Sequence, residues 1–161
     1  MNDKLKQEFE SRYPLTAEQI AFYRKNEFIK LKQVLSPEAI SYMENVISAE
    51  VKRFNTQHLP MDQRDTYGKA FLQIMNLWTK SDLVKEIVFS KRLARIATEL
   101  MGVDGVRMYH DQALYKEPSG GHTPWHADQY YWPLETGKTV TVWIQMQDTP
   151  LEFGPLEFSA Q

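Results

Sequence analysis

Apolar residues recur at two different spacings along this chain, and the change falls near Gly105. Before it the spacing is helical. Behind Ser36-Pro37-Glu38, the residues Ile40, Met43, Ile47, Val51 and Phe54 recur at three- and four-residue steps, which gives a helix one apolar face. A serine cap with proline in the first turn predicts where that helix starts. Thr16 with Gln19 has the form of a capping box, and with Ile20, Phe22 and Tyr23 behind it predicts a helix ending near Asn26. Two shorter helices are predicted, one from Ser81 carrying Leu83, Val84, Ile87 and Val88. The other runs from Ser90 through Leu93, Ile96, Ala97 and Leu100 and closes on Gly102. Phe28 to Val34 alternates and reads as a short strand. His58 to Lys69 is polar and reads as a mobile loop, and Phe71 to Met75 as a strand or the edge of a pocket.

After Gly105 the period becomes two. Val106 to Lys116 reads as a strand ending at Pro118-Ser119-Gly120-Gly121, and Thr123 to Tyr131 as extended chain, since Pro124 forbids a helix through it. Thr139 to Gln147 is the clearest strand, and Pro155 to Phe158 starts another. Helices first and strands later predict an α+β fold in one domain over residues 1–161, with a helical region to about residue 104 and strands from about residue 105.

Composition narrows the class. The chain has 161 residues, 42% hydrophobic and 25% charged, as a soluble globular protein has. A net charge of −2 gives no general pull toward nucleic acid or acidic membranes. There is no cysteine, hence no disulfide, thiolate metal site or thiol nucleophile. No window approaches the roughly 18 apolar residues of a membrane span, and the first residues lack a signal-peptide core, so a cytoplasmic location is expected.

The chemistry concentrates in Trp125-His126-Ala127-Asp128-Gln129. On extended chain, residues two apart point the same way, so His126 and Asp128 project side by side; on a helix they would stand about 200° apart. An imidazole and a carboxylate so placed supply two ligands of a 2-His-1-carboxylate facial triad, an arrangement that leaves positions open on Fe(II). His-x-Asp alone is a weak signal, and its surroundings strengthen it. In the next strand, Thr139, Thr141, Trp143 and Gln145 share one face and Val140, Val142 and Ile144 the other, so the first face can line a pocket floor. Gln112 shares a face with Leu114 and Lys116 and can point an amide into the same pocket. His122 and His126, four apart, would make a zinc pair on a helix, which Gly120, Gly121 and Pro124 disfavour. Ser119-Gly120-Gly121 lacks the adjoining helix N-terminus that phosphate binding needs. His110 and Asp111 face opposite ways on a strand, and His110 and His58 read as structural or solvent-facing.

From Arg107 onward the chain resembles the phytanoyl-CoA dioxygenase family of Fe(II)/2-oxoglutarate oxygenases. The resemblance is carried by His110-Asp111-Gln112-Ala113-Leu114-Tyr115-Lys116-Glu117-Pro118, Gly120-Gly121 and Trp125-His126-Ala127-Asp128. It continues through Val142-Trp143-Ile144 and Gln147-Asp148 to Gly154-Pro155-Leu156-Glu157-Phe158. It implies a double-stranded β-helix (jelly roll) with helices packed on one sheet, and His126 and Asp128 as iron ligands. It implies Thr141 and Trp143, with Gln112, at the 2-oxoglutarate, and Tyr130, Tyr131 and Trp132 on the substrate side. The implied reaction is hydroxylation of a small organic substrate by molecular oxygen, with succinate and carbon dioxide as co-products. The family also has a second iron-ligating His and an Arg for 2-oxoglutarate well beyond the His-x-Asp, and this sequence has neither after His126. About six candidate strands stand against the eight of a jelly roll. The expectation is therefore the N-terminal part of a longer oxygenase. The alternatives are a catalytically inactive jelly-roll fragment with a binding or assembly role, and a cupin-like metal site independent of 2-oxoglutarate. Oligomeric state and substrate are not legible.

Overall fold

The computed structural model describes residues 1–117 and 123–159. The expected turn at Pro118-Ser119-Gly120-Gly121, His122, and the last residues, Ala160 and Gln161, lie outside the described residues. Six α-helices form among the described residues: α1 Asp3–Glu10, α2 Ala17–Asn26, α3 Pro37–Phe54, α4 Thr66–Ala70, α5 Asp82–Val88 and α6 Lys91–Met101. Each predicted start is where the structure puts it. Thr16 and Gln19 close a reciprocal capping box, and the hydroxyls of Ser36, Ser81 and Ser90 accept from the backbone N–H of Ala39, Val84 and Leu93. These caps satisfy N–H groups that a helix cannot pair internally.

Helix α1 is an addition to the predicted elements. Its signal is short: Asn2 accepts from Leu5 N at 2.9 Å, and Leu5 and Phe9, one turn apart, are both buried. Its carbonyl end is finished by the start of α6, where the Ser90 hydroxyl donates to Phe9 O at 2.9 Å and Arg95 to Glu10 O at 3.0 Å. At the other end of α6, Gly102 sits at φ +65°, and Arg24 from α2 donates to the carbonyls of Leu100 and Glu99. A Cβ at Gly102 would lie 2.8 Å from the Arg24 guanidinium, so that position favours glycine twice over.

Two strands form among the described residues, β1 Phe71–Met75 and β2 Gln112–Lys116, antiparallel with Gln73 opposite Leu114. Ile74 and Ala113 turn inward onto Val51, Leu77 and Val84, and the Tyr115 hydroxyl shares a 2.6 Å hydrogen bond with Ser48 of α3. A second cluster joins Leu5, Phe9, Leu35, Ala39, Met43 and Ile87. The result is mixed helix and sheet, as an α+β reading requires. No helix among the described residues is long and apolar enough to cross a membrane.

Four strand predictions are corrected. Phe28 to Val34 is irregular, with Gln33 at φ +54°, because side chains take its carbonyls: Tyr13 donates to Lys32 O at 2.9 Å and Arg92 to Val34 O at 2.7 Å. Of Val106 to Lys116, only the part opposite β1 is a strand. Thr139 to Gln147 alternates only from Trp143 on, with Ile144 and Met146 half-buried on the α1–α3 cluster and Trp143 and Gln145 exposed; Thr139 and Val140 are both half-buried, Thr141 and Val142 both exposed, and the segment pairs with no described strand. Pro155 to Phe158 likewise forms no ladder, and Phe158 instead stacks on Phe28 with ring centroids 4.9 Å apart. Within the expected loop, Met61–Gln63 makes a 3₁₀ turn and α4 comes after it.

Candidate metal centre

Pro124 holds the chain out of a helix, Ala127 is extended (φ −116°, ψ 125°), and Asp128–Tyr130 then closes a single 3₁₀ turn. The extended stretch predicted through Tyr131 therefore ends at Ala127, and the two ligand candidates still meet. His126 Nε2 lies 3.4 Å from Asp128 Oδ1. His126 Nδ1 lies 2.8 Å from the carbonyl of Pro124. A carbonyl only accepts, so Nδ1 carries a proton, and Nε2 is the nitrogen turned toward the carboxylate. Such a backbone bond on the far nitrogen is what orients a metal-ligating imidazole.

The other carboxylate oxygen is also held, since the Thr141 hydroxyl donates to Asp128 Oδ2 at 2.9 Å. Next to it the Thr139 hydroxyl donates to Gln129 Oε1 at 2.7 Å, and Gln129 Nε2 donates to Thr136 O at 3.0 Å. The hydroxyl face predicted for Thr139 and Thr141 thus lies along the ligand turn, and Gln129, for which the sequence suggests no role, ties the two segments together. Nε2 and Oδ1 thus face each other across a gap. Two donors about 2.1 Å from one ion and roughly 90–110° apart are separated by about 3.0–3.4 Å, so the pair fits adjacent ligand positions. Both side chains are open to solvent, at 40% and 45% exposure. No group of three His, Cys, Asp or Glu gathers among the described residues.

The remaining candidates divide into two groups. Tyr131 approaches His126 with ring centroids 6.2 Å apart, and Tyr130 packs edgewise on Tyr131 at 5.4 Å. Trp143, 46% exposed, makes no described hydrogen bond or ring contact to the pair. Gln112 is engaged elsewhere, accepting from Gln73 at 3.1 Å and lying 2.7 Å from His110 Nε2. His110 in turn packs with Tyr109 and Trp132, so Trp132 belongs to this second group.

A family model for phytanoyl-CoA dioxygenase (PhyH) matches residues 23–161. The chain belongs to the phytanoyl-CoA dioxygenase family. No curated protein and no solved structure matches it. Phytanoyl-CoA dioxygenase family members are in general Fe(II)- and 2-oxoglutarate-dependent oxygenases. The matched span takes in both strands, the His126–Asp128 pair and the Thr139–Thr141 hydroxyls, and leaves α1 and the Thr16 cap outside it.

One carboxylate near this region is structural. Asp111 faces inward, opposite to His110 and Gln112, and accepts from the backbone N–H of Leu77 and Trp78 at 3.2 and 3.3 Å. Burial raises its pKa above the ordinary value, against the pull of those two N–H donors.

Proposed function

We propose that this family member is an Fe(II)- and 2-oxoglutarate-dependent oxygenase that hydroxylates a small organic substrate, in a jelly-roll fold spanning one domain. The supporting observation is the His126–Asp128 pair, with Nε2 and Oδ1 3.4 Å apart and each group held from behind, by Pro124 O and the Thr141 hydroxyl. His126 and Asp128 would hold the iron, and a third ligand has to come from outside the pair. Bound with 2-oxoglutarate and oxygen, the metal would supply oxidative decarboxylation of the cosubstrate coupled to hydroxylation, releasing succinate and carbon dioxide. Thr141 keeps Asp128 turned toward the metal and, with Trp143 on the same face, borders the cosubstrate. Gln112 reaches the cosubstrate only by leaving His110 or Gln73. Tyr130 and Tyr131 form the substrate side, which Trp132 joins only by leaving Tyr109 and His110. That only two ligand groups meet among the described residues favours one second reading, a catalytically inactive binding or assembly module.

Calorimetric titration of Mn(II), with and without 2-oxoglutarate, separates the two. Binding that tightens with 2-oxoglutarate and disappears in His126→Ala supports the oxygenase. Absence of binding supports the inactive module.

A further inference from the structure

We propose that Gln129 is a positioning residue of this centre: its side-chain amide, through Thr139, holds Thr141 where the Thr141 hydroxyl fixes the Asp128 carboxylate. The metal role of that carboxylate rests on the oxygenase reading, whereas the hold on it rests on hydrogen bonds within this chain. Asp128 and Gln129 are neighbours in the 3₁₀ turn Asp128–Tyr130, and Thr139 and Thr141 stand two apart on the segment that passes it. Two side-chain bonds therefore join the same two segments. Thr139 donates to Gln129 Oε1 at 2.7 Å, and Thr141 donates to Asp128 Oδ2 at 2.9 Å.

The two bonds differ in shelter. Asp128 and Thr141 are exposed, and water competes for an exposed hydroxyl–carboxylate bond, so that bond alone holds little. Gln129 and Thr139 are both half-buried, and among residues 123–130 Gln129 alone is not exposed. The same amide also reaches the far end of the adjoining turn, donating to Thr136 O at 3.0 Å. Inside that turn Lys138 N donates to Thr136 Oγ1 at 3.1 Å and Thr139 N to Gly137 O at 3.0 Å. Both ends of residues 136–139 are thus fixed to one side chain. Past Thr141 the segment next packs on the α1–α3 cluster at Ile144. Thr141 lies between these two holds, and cutting the Gln129 link leaves it tethered from one side only. Neither Gln129 bond touches His126 or the Asp128 carboxylate, so the amide acts on the ligand pair through Thr139 and Thr141.

Two measurements on the 161-residue chain and its variants test this. In the metal-free protein, the NOE cross-peak between the Thr141 methyl and the Asp128 β-protons is expected to disappear in Gln129→Ala and in Thr139→Val. It is expected to persist in Thr139→Ser, which keeps the hydroxyl. In the Mn(II) titration, Gln129→Ala is expected to weaken binding about three- to tenfold, but by less than about twofold on a Thr141→Val background. A merely structural loss would weaken both backgrounds alike. Equal weakening therefore overturns the proposal, as does a cross-peak that survives in Gln129→Ala. A chain that binds no Mn(II) refutes the oxygenase reading instead, and the cross-peak then decides the hold on Asp128.

Discussion

The helical region and the segment after it solve the problem of burial in opposite ways. Among the described residues, the chain through Leu100 supplies every buried apolar side chain except Ala113, and side chains cap the helices that line that core. Beyond residue 105 the large apolar side chains are largely exposed, including Trp125, Tyr130, Tyr131, Trp143, Leu151 and Phe153, and the described backbone forms one short strand and single turns. The difference comes from range. A helix finishes its hydrogen bonds within itself and needs only one apolar face covered, whereas an extended segment needs a neighbour for its ladder. The candidate His126–Asp128 centre lies in the segment without such a neighbour among the described residues, so it sits in the region that buries least.

The sharpest way to break this comparison is to cut into both regions equally. Ile87→Ala, in the α1–α3 cluster, is expected to cost about 2–5 kcal/mol in urea unfolding, while Tyr130→Ala stays within about 0.5 kcal/mol. A Tyr130 variant as damaging as Ile87→Ala would mean the exposed segment is stabilising after all. Next in size is Asp111→Ala, which strands the N–H groups of Leu77 and Trp78 and is expected to cost about 1–3 kcal/mol. Ser36→Ala should cost about 0.5–2 kcal/mol by uncapping α3, measurable as a lowered denaturation midpoint.

Asp111 also gives the stability a pH signature. Folding raises its pKa, so between the two values the native chain binds more protons than the unfolded one. Its contribution is fullest below the ordinary value of 3.8 and declines as pH rises through the raised native value. Asp111→Asn should flatten that part of the stability–pH curve. The smallest expected stability effect sharpens the contrast from the other side. Thr141→Val should leave unfolding within about 0.5 kcal/mol of wild type, yet weaken Mn(II) binding about tenfold by freeing Asp128.

Legibility in the sequence sorts along the same line. Ser36, Ser81, Ser90 and the Thr16–Gln19 box mark their helices because a cap acts on groups two or three residues away. Helix α1 is hard to see because its apolar signal is only Leu5 and Phe9. The alternation in Thr139 to Gln147 predicts the core side only near its end, since Ile144 turns inward and Trp143 outward while Val142 is exposed, and alternation carries no information about a pairing partner. Phe28 to Val34 departs from its predicted strand because Tyr13 and Arg92 satisfy its carbonyls, and such side chain–backbone bonds over long separations leave no local trace. At the candidate centre, the two-residue spacing of His126 and Asp128 is enough to bring them together. The holding bonds from Pro124 and Thr141, and the diversion of Gln112 to His110, depend on where the loops pass.

The docking of α1 onto α6 has a consequence for synthesis. The Ser90 hydroxyl and the Phe9 carbonyl that it caps are 81 residues apart. At about 5–20 residues per second, a ribosome takes about 4–16 s to cover that distance, and exit from the tunnel adds to the wait. An eight-residue helix is too short to persist by itself in water. During those seconds α1 stays open to chaperones and proteases, and it docks onto α6 only after α6 has emerged.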